Sequence, residues 1–313
     1  MPAIALVALT FYACEKNRAE PGKEAPSTEK DQPVKKAEEV EEKKEPRMLI
    51  TYHLDSISNE AEVDSFQNRF TSEEQKHIFA INRVDPRRLS AGDRLVIPDT
   101  LTGDFLNYAP FPEELDLLDS ISKTVLISRR IQAFAIYEGG KLKRWGPVSS
   151  GKESTQTPAG LNYGNYKSKN KVSTVNKDWL MPYYFNFMNF EGVGTHEYSM
   201  PGYPASHACV RLRKEDAVYI YDWAEQWKLN DSGQKVLRNG TPFMVLGDYD
   251  FDADVPWLEL AKDPKSNFLN DSEMQTLKKY VSEYYQDEKN FSGEKPEGDA
   301  LPSPPEDGLE TFY

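Results

Sequence analysis

Cysteine is almost absent. Cys14 and Cys209 are the only two in 313 residues. That excludes a disulfide-stapled scaffold and a cysteine-rich zinc site, and each cysteine needs its own explanation. Histidine is scarce as well, with His53, His77, His196 and His207 making up the four. His53 and His77 lack ligand-type neighbours in sequence, so each is expected on the surface or in a core, and no metal site or cofactor is predicted. No apolar run approaches the roughly 18 residues of a membrane-spanning helix. Hydrophobic content is only 38%, against 28% charged residues, which points to solvated segments around an ordinary core.

Net charge is −13, and a uniformly acidic chain binds nucleic acid poorly, so no nucleic-acid partner is expected. The charge is not uniform. Residues 15–47 carry −1, 48–120 carry −8, 121–249 carry +6 and 250–313 carry −10. Charge runs commonly mark solvated faces. The sharper reading is that the basic middle faces an anionic partner.

Met1–Tyr12 is almost wholly apolar and is followed by Ala13-Cys14 and then by charge. The run is too short to span a bilayer and suits the apolar core of a signal peptide. A small residue before cysteine resembles the lipobox of bacterial lipoproteins, although no Lys or Arg precedes the run. That resemblance implies a signal peptide over 1–14 and lipidation of Cys14. It also implies a periplasmic protein of the cell envelope, lipid-anchored to the outer or inner membrane. The alternative is a plain secretory signal with an incidental cysteine. Residues 15–47 hold 19 charged residues and four prolines. They read as a disordered charged tether, about 30 Å in mean span by coil scaling.

Residues 48–104 read as a small α/β domain. Val63, Phe66, Phe70, Ile78, Phe79 and Ile81 fall at helical spacing, and Gly92-Asp93 precedes the short run Leu95-Val96-Ile97-Pro98. The ending, with Asn82, a turn, Gly-Asp and Leu-x-Ile-Pro, resembles a LysM glycan-binding module, which implies glycan contact; the Gly-Asp-Thr opening of that family is missing. Residues 105–120 are expected to be a linker.

Residues 121–249 carry strand patterns broken by Pro and Gly. Thr124–Ser128, Ile131–Glu138 and Lys141–Trp145 follow one another, the last two across a Gly139-Gly140 hairpin turn. One helix is expected over Lys214–Trp227, and a closing strand at Thr241–Leu246. Ser206-His207-Ala208-Cys209-Val210-Arg211-Leu212 follows His196 at a short distance. A single cysteine with a separate histidine is a candidate nucleophile and base, because an imidazole can turn a thiol of pKa about 8.5 into the reactive thiolate. The bland alternative is a buried inert cysteine.

This motif resembles the signature of the L,D-transpeptidase (YkuD-type) family, Ser/Thr-His-Gly-Cys followed by a hydrophobic residue and Arg or Asn. Val148-Ser149-Ser150-Gly151, Thr157-Pro158-Ala159-Gly160, Met181-Pro182-Tyr183 and Gly240-Thr241-Pro242 match further family landmarks in order. The resemblance covers residues 121–247. It implies a mostly β (α+β) fold, a YkuD-like β-sandwich with one helix after the cysteine motif, preceded by the LysM-like module. It also implies a thioester mechanism on peptidoglycan tetrapeptide stems, with Cys209 as nucleophile and His196 as base. Backbone groups of Ala208, Ser206 and Glu197 would hold the oxyanion or orient the imidazole. His207, Arg211 and Tyr183 would meet substrate, with a structural salt bridge the alternative for Arg211. Two departures stand out: Ala208 replaces the family glycine, and only nine residues separate His196 from Ser206. Residues 161–180, with Tyr163, Tyr166, Lys167, Lys169, Lys171, Lys177 and Trp179, are either a surface loop or a cationic lid.

Residues 250–260 read as a solvated loop, Asp271–Asp287 as a helix, and 292–313 as a disordered tail, so that 250–313 forms an acidic C-terminal extension. An L,D-carboxypeptidase using water as acceptor, or a non-catalytic wall-binding lipoprotein, stands as the alternative to the transpeptidase, whose products would be 3-3 cross-links or exchanged terminal D-residues.

Overall fold

The computed structural model describes residues 47–291. The expected signal segment with Cys14, the tether up to residue 46 and the tail 292–313 lie outside the described residues.

The chain opens with strand β1 (Tyr52–Ser56), helices α1 (Glu60–Asn68) and α2 (Ser72–Ile81), and strand β2 (Arg94–Pro98), which pairs antiparallel with β1. Local chemistry sets both helix starts. Asn59 accepts from the Glu62 amide, and Thr71 forms a capping box with Glu74, caps worth about 1 kcal/mol each. Asn82 is buried at the end of α2. Its amide nitrogen donates to the carbonyls of Ile78 and Val96, each at 2.8 Å, and its oxygen accepts from the Val96 amide. One side chain thus pins α2 to β2. Phe66, Ile78, Phe79, Leu89, Leu95 and Ile97 fill the space between them. The other face of this unit is not free. Ile50, Ile81 and Val96 belong to a core shared with the rest of the chain.

Residues 105–120 are packed rather than linker-like. The Phe105 ring stacks on Trp145 at 4.4 Å, and the Trp145 indole N–H donates to the Phe105 carbonyl at 2.8 Å. Tyr108, Phe111, Leu115 and Leu118 are buried behind it. These apolar residues follow neither a helical nor a strand period, which is why the pattern reads as a linker.

Strands β3 (Thr124–Ser128), β4 (Ala133–Glu138), β5 (Lys141–Ser149), β6 (Gly160–Tyr163), β7 (Tyr166–Val172), β8 (Leu180–Met188), β9 (Val193–Glu197) and β10 (Val210–Leu212) follow. Then come helix α3 (Lys214–Trp223), the small hairpin β11 (Lys228–Leu229) and β12 (Val236–Arg238), and strand β13 (Pro242–Leu246). All but β11 and β12 join one sheet in the order β6-β13-β3-β4-β5-β10-β9-β8-β7. Phe243 of β13 nevertheless stacks on Phe187 of β8 at 4.9 Å and meets Phe185 edge-on at 5.5 Å. The sheet therefore curls back on itself. The expected two-sheet sandwich is one mostly β sheet bent at β5, which pairs with β4 along its length and with β10 through Val148 and Ser149. Ala217, Ile220 and Ala224 close the curl from the α3 side.

Helix α3 stops before the expected Trp227. Beyond Ala224 the backbone is taken by other partners: Trp227 N–H donates to the Gly164 carbonyl at 2.9 Å, and Thr241 N–H to the Glu225 carbonyl at 3.0 Å. A Cβ on Gly240 would sit 2.1 Å from the Gly164 oxygen, so this crossing requires glycine.

The C-terminal segment also joins the core. Asp250, Asp252 and Asp254 are exposed, but Trp257, Leu258 and Leu260 are buried, which corrects the solvated-loop reading of 250–260. Helix α4 (Asp271–Gln286) lays Leu277, Tyr280 and Val281 against the same core as Leu126 and Met244. Its buried Glu273 accepts from Ser128 at 2.9 Å and pairs with Arg130 at 2.7 Å. Leu277→Ala should therefore cost about 2–5 kcal/mol in urea unfolding, while the neighbouring Lys278→Ala stays within about 0.5 kcal/mol. Equal, small effects would show that α4 is not part of the core.

Candidate functional site

Two neighbouring strands build the site. β10 runs parallel to β9, with Val210 opposite Thr195 and Arg211 opposite His196. Cys209 directly precedes β10, in step with Gly194. Side chains alternate along strands, so Gly194 and His196 share a face, and Cys209 and Arg211 share the matching face of the next strand. Cys209, His196, Arg211, Ser206 and His207 all line one cavity of about 150 Å³. Gly194 keeps the approach close, because a Cβ there would lie 2.6 Å from the Phe185 carbonyl oxygen and 2.8 Å from the Tyr184 ring.

His196 is 4% exposed. Its Nδ1 lies 2.8 Å from the Glu197 carbonyl oxygen. A carbonyl only accepts, so Nδ1 carries the proton and Nε2 is the basic nitrogen of the neutral ring. Burial lowers the imidazole to about 4, the Glu197 carbonyl opposes this, and Arg211 adds to the lowering. The Ser206 carbonyl accepts instead from the Lys152 amide at 3.0 Å and from the Thr155 hydroxyl. Of the two carbonyls considered for orienting the imidazole, the geometry uses Glu197.

Cys209 is a free thiol of intermediate exposure. Its Sγ stands 3.9 Å from the Gly192 carbonyl oxygen. Burial pushes the thiol up, while the Gly194 amide and Arg211 pull it down. With the imidazole lowered and the thiol raised, the resting pair is neutral.

The peptide before Cys209 is held from below. Ala208 has φ 76°, a left-handed conformation that costs a non-glycine residue about 1–2 kcal/mol. The Thr157 hydroxyl donates to the Ala208 carbonyl at 2.7 Å and accepts from the Gly151 amide at 2.9 Å. The Ser206 hydroxyl donates to the Cys209 carbonyl. A Cβ on Gly151 would fall 2.1 Å from the Thr155 oxygen. Two motifs some fifty residues upstream in the chain thus meet beneath the cysteine and fix its backbone.

Arg211 donates to the Ala205 carbonyl at 3.0 Å and lies over the Tyr198 ring at 4.7 Å. Among the described residues no carboxylate pairs with it, so the salt-bridge alternative has no partner there. His207 sits at the rim with its ring 5.2 Å from Trp179. Tyr183 does not line the cavity. At φ 52° it breaks the alternation of β8 and packs edge-on against Tyr221 of α3. The same break brings both Met181 and Tyr184 to the cavity wall. Tyr184, which strict alternation misses, donates to the Gly192 carbonyl at 2.6 Å and accepts from Asn186 at 2.7 Å.

The lysine-rich stretch divides. Ser173, Thr174, Val175 and Trp179 of the β7–β8 connection line the cavity, as do Tyr166 and Lys171. Lys167 instead donates to the Ala224 carbonyl at 2.7 Å, and the Tyr163 hydroxyl is tied to Asn290. Lys169 and Lys177 are exposed. Away from the site, His53 pairs with Asp99 at 2.7 Å, and His77 packs between the Phe105 and Tyr108 rings. Among the described residues no group of three His, Cys, Asp or Glu is placed to hold a metal. The strain at Ala208 has a direct consequence. Ala208→Gly should raise unfolding stability by about 1 kcal/mol, since relief of the left-handed cost outweighs the added chain entropy of glycine; a loss of stability would contradict this backbone.

Among curated proteins none matches the chain. Several solved structures are similar to part of it. The L,D-transpeptidase (Yku) from Stackebrandtia nassauensis is 26% identical over 42% of this chain and 58% of its own, with a TM-score of 0.33. Mycobacterium tuberculosis L,D-transpeptidase 1 is 23% identical over 40% of this chain and 62% of its own, with a TM-score of 0.31. The L,D-transpeptidase from Mycobacterium smegmatis is 18% identical over 40% and 58%, with a TM-score of 0.32. The chain spans less than two thirds of the length of each of these. Residues 122–245 match the model of the YkuD family, described as the L,D-transpeptidase catalytic domain.

Proposed function

We propose that residues 122–245 form a cysteine-dependent L,D-transpeptidase acting on peptidoglycan tetrapeptide stems. One observation carries the reading: a buried histidine with its Nδ1 proton held by a backbone carbonyl shares a small cavity with the free thiol of Cys209. In this reading Cys209 Sγ attacks the carbonyl carbon between stem residues three and four. His196 Nε2 takes the thiol proton and returns it to the departing D-alanine amine, leaving a thioester on Cys209. The side-chain amine of a second stem, or water, then attacks the thioester and releases the sulfur. An amine gives a 3-3 cross-link or an exchanged terminus, and water gives the trimmed stem of a carboxypeptidase. Backbone N–H groups around Ala208 and Cys209 stabilise the oxyanion, a contribution worth roughly 3–4 kcal/mol per donor. Arg211, which has no carboxylate partner among the described residues, receives a stem carboxylate, and the β7–β8 connection covers the bound donor.

The neutral resting pair shapes this chemistry. Thiolate forms as the proton moves to His196 during attack, so the thiol is not spent on stray electrophiles beforehand. The +6 charge of residues 121–249 suits a polymer rich in carboxylates. The proposal extends to lipid anchoring through Cys14 in the periplasm, supported by the apolar run before Ala13-Cys14. It extends also to glycan contact by a LysM-like unit over 48–104, supported by the β1-α1-α2-β2 order.

Carbapenem acylation followed by intact mass tests the centre of the reading. The parent should gain one adduct and Cys209→Ala none, and His196→Gln should acylate about 10²–10⁴-fold more slowly. An adduct on the Cys209→Ala protein, or full speed without His196, would overturn the assignment. The pH profile follows from burial. His196 must be neutral to accept the proton, and with its imidazole at about 4 it is neutral at all higher pH. The acylation rate should hold from pH 7 to well below 6 and fall only near 4. Half-loss at the ordinary histidine value, near 6.5, would contradict a buried neutral base.

A further inference from the structure

We propose that the short segment 83–88, between α2 and β2, is a clamp that positions the loop joining His196 to Cys209, with Asp85 as its positioning residue. The inference rests on the function proposed above and adds a part of the chain outside the matched family segment.

The loop needs outside support. Only nine residues separate His196 from Ser206, among them Pro201, Gly202 and Pro204, and after Glu197 ends β9 the rest form no helix or named strand. The far end of the loop is tied to β5 and the residues after it. Ala205 and Ser206 amides both donate to the Ser150 carbonyl at 3.0 Å, and Ser149 donates to the Tyr203 carbonyl at 2.8 Å. The near end is tied to segment 83–88. The Asp85 amide donates to the Met200 carbonyl at 2.9 Å, and the Met200 amide donates back to the Asp85 carboxylate at 2.9 Å. Val84 bridges to Pro201, the Gly202 amide donates to the Arg83 carbonyl at 2.9 Å, and Arg88 donates to the Ser199 hydroxyl at 3.0 Å. Four successive loop residues are thus held by one short segment.

That segment is itself anchored. Arg83 is 2% exposed and has φ 54°, which turns the chain out of α2 toward the loop. Its guanidinium donates to the carbonyls of Ile131, at 3.1 Å, and Ile81, and lies over the Trp257 ring at 4.8 Å. Ile131 sits between β3 and β4, so the clamp is fastened to the same sheet that carries His196. A buried cation held by carbonyls and an indole face resists displacement, because release would leave it unpaired in the core. Loops placed by a rigid scaffold carry reactive groups to a fraction of an ångström, and a shift of about 1 Å costs on the order of 10²-fold in rate.

The test uses the full chain and three variants, Asp85→Ala, Asp85→Asn and Arg69→Ala. Asparagine keeps an oxygen for the Met200 amide. Arg69 pairs with Asp55 at 2.5 Å in the same unit without touching the loop. Carbapenem acylation rates should fall about 10–100-fold in Asp85→Ala at saturating carbapenem, with the half-saturating concentration little changed. Asp85→Asn should recover to within about threefold of the parent, and Arg69→Ala should match it. Hydrogen exchange at the Met200 amide should be at least tenfold faster in Asp85→Ala than in the parent. Acylation of Asp85→Ala within twofold of the parent overturns the clamp, as does an Asp85→Asn no better than Asp85→Ala or an Arg69→Ala equally impaired. If the parent itself does not acylate, the proposed function fails, and exchange at Met200 decides the clamp alone: protection lost in Asp85→Ala supports it, and fast exchange in the parent refutes it.

Discussion

Parallel pairing of β10 against β9 is the constraint from which the site follows. With Arg211 opposite His196 and Val210 opposite Thr195, the residue before β10 falls beside Gly194, and the sulfur and the imidazole share one face. A slip of one residue would turn Cys209 away from the cavity and bring Ala208 or Val210 in its place. Parallel strands need a connection that leaves one end and returns to the other. Here it is the short loop after His196, which runs back along the bent strand β5 and past the unit that carries α2. Much of the remaining structure holds that return path still: Ser149 and Ser150 on one side, Asp85 and Arg83 on the other, Thr157 and Gly151 beneath.

Burial then sets the electrostatics. The imidazole is lowered and the thiol raised, so neither carries charge at neutral pH, and the Glu197 carbonyl fixes which nitrogen is basic. The cationic Arg211 beside them has carbonyl and ring partners but no carboxylate among the described residues. The cavity thus sets a neutral nucleophile and a neutral base beside two cations, Arg211 and Lys171, which suits the anionic stem proposed as substrate.

Much of this was legible in the residues. Cys209 and His196 stood out as a pair, and Gly151, Thr157 and Gly240 were marked by short motifs whose purpose is now visible as close backbone crossings. Helix α4 followed from its apolar spacing, and the structure adds an Asn270–Glu273 capping box at its start. What was hidden depended on long-range partners. Tyr184 rather than Tyr183 reaches the cavity because a left-handed residue interrupts β8, and no period reveals that. Residues 105–120 pack through irregularly spaced aromatics. Helix α3 ends early because Gly164 and Thr241 claim the backbone beyond it, a tertiary contact overriding a local preference. Nothing in the sequence around Asp85-Pro86 marks a partner for the carboxylate, and only the fold joins it to Met200.

The carboxyl- and amino-terminal parts therefore do more than flank a catalytic segment. Trp257 supports Arg83, Arg83 supports the segment that meets the loop, and the loop carries the chain from His196 to Cys209. The most direct measurement is mass spectrometry of purified disaccharide-tetrapeptide stems incubated with the full chain. Loss of the terminal D-alanine is expected, with a transient acyl mass on Cys209 and either a 3-3 dimer or a tripeptide as product. Stems that remain intact, with no acyl mass on the protein, would contradict the proposed function.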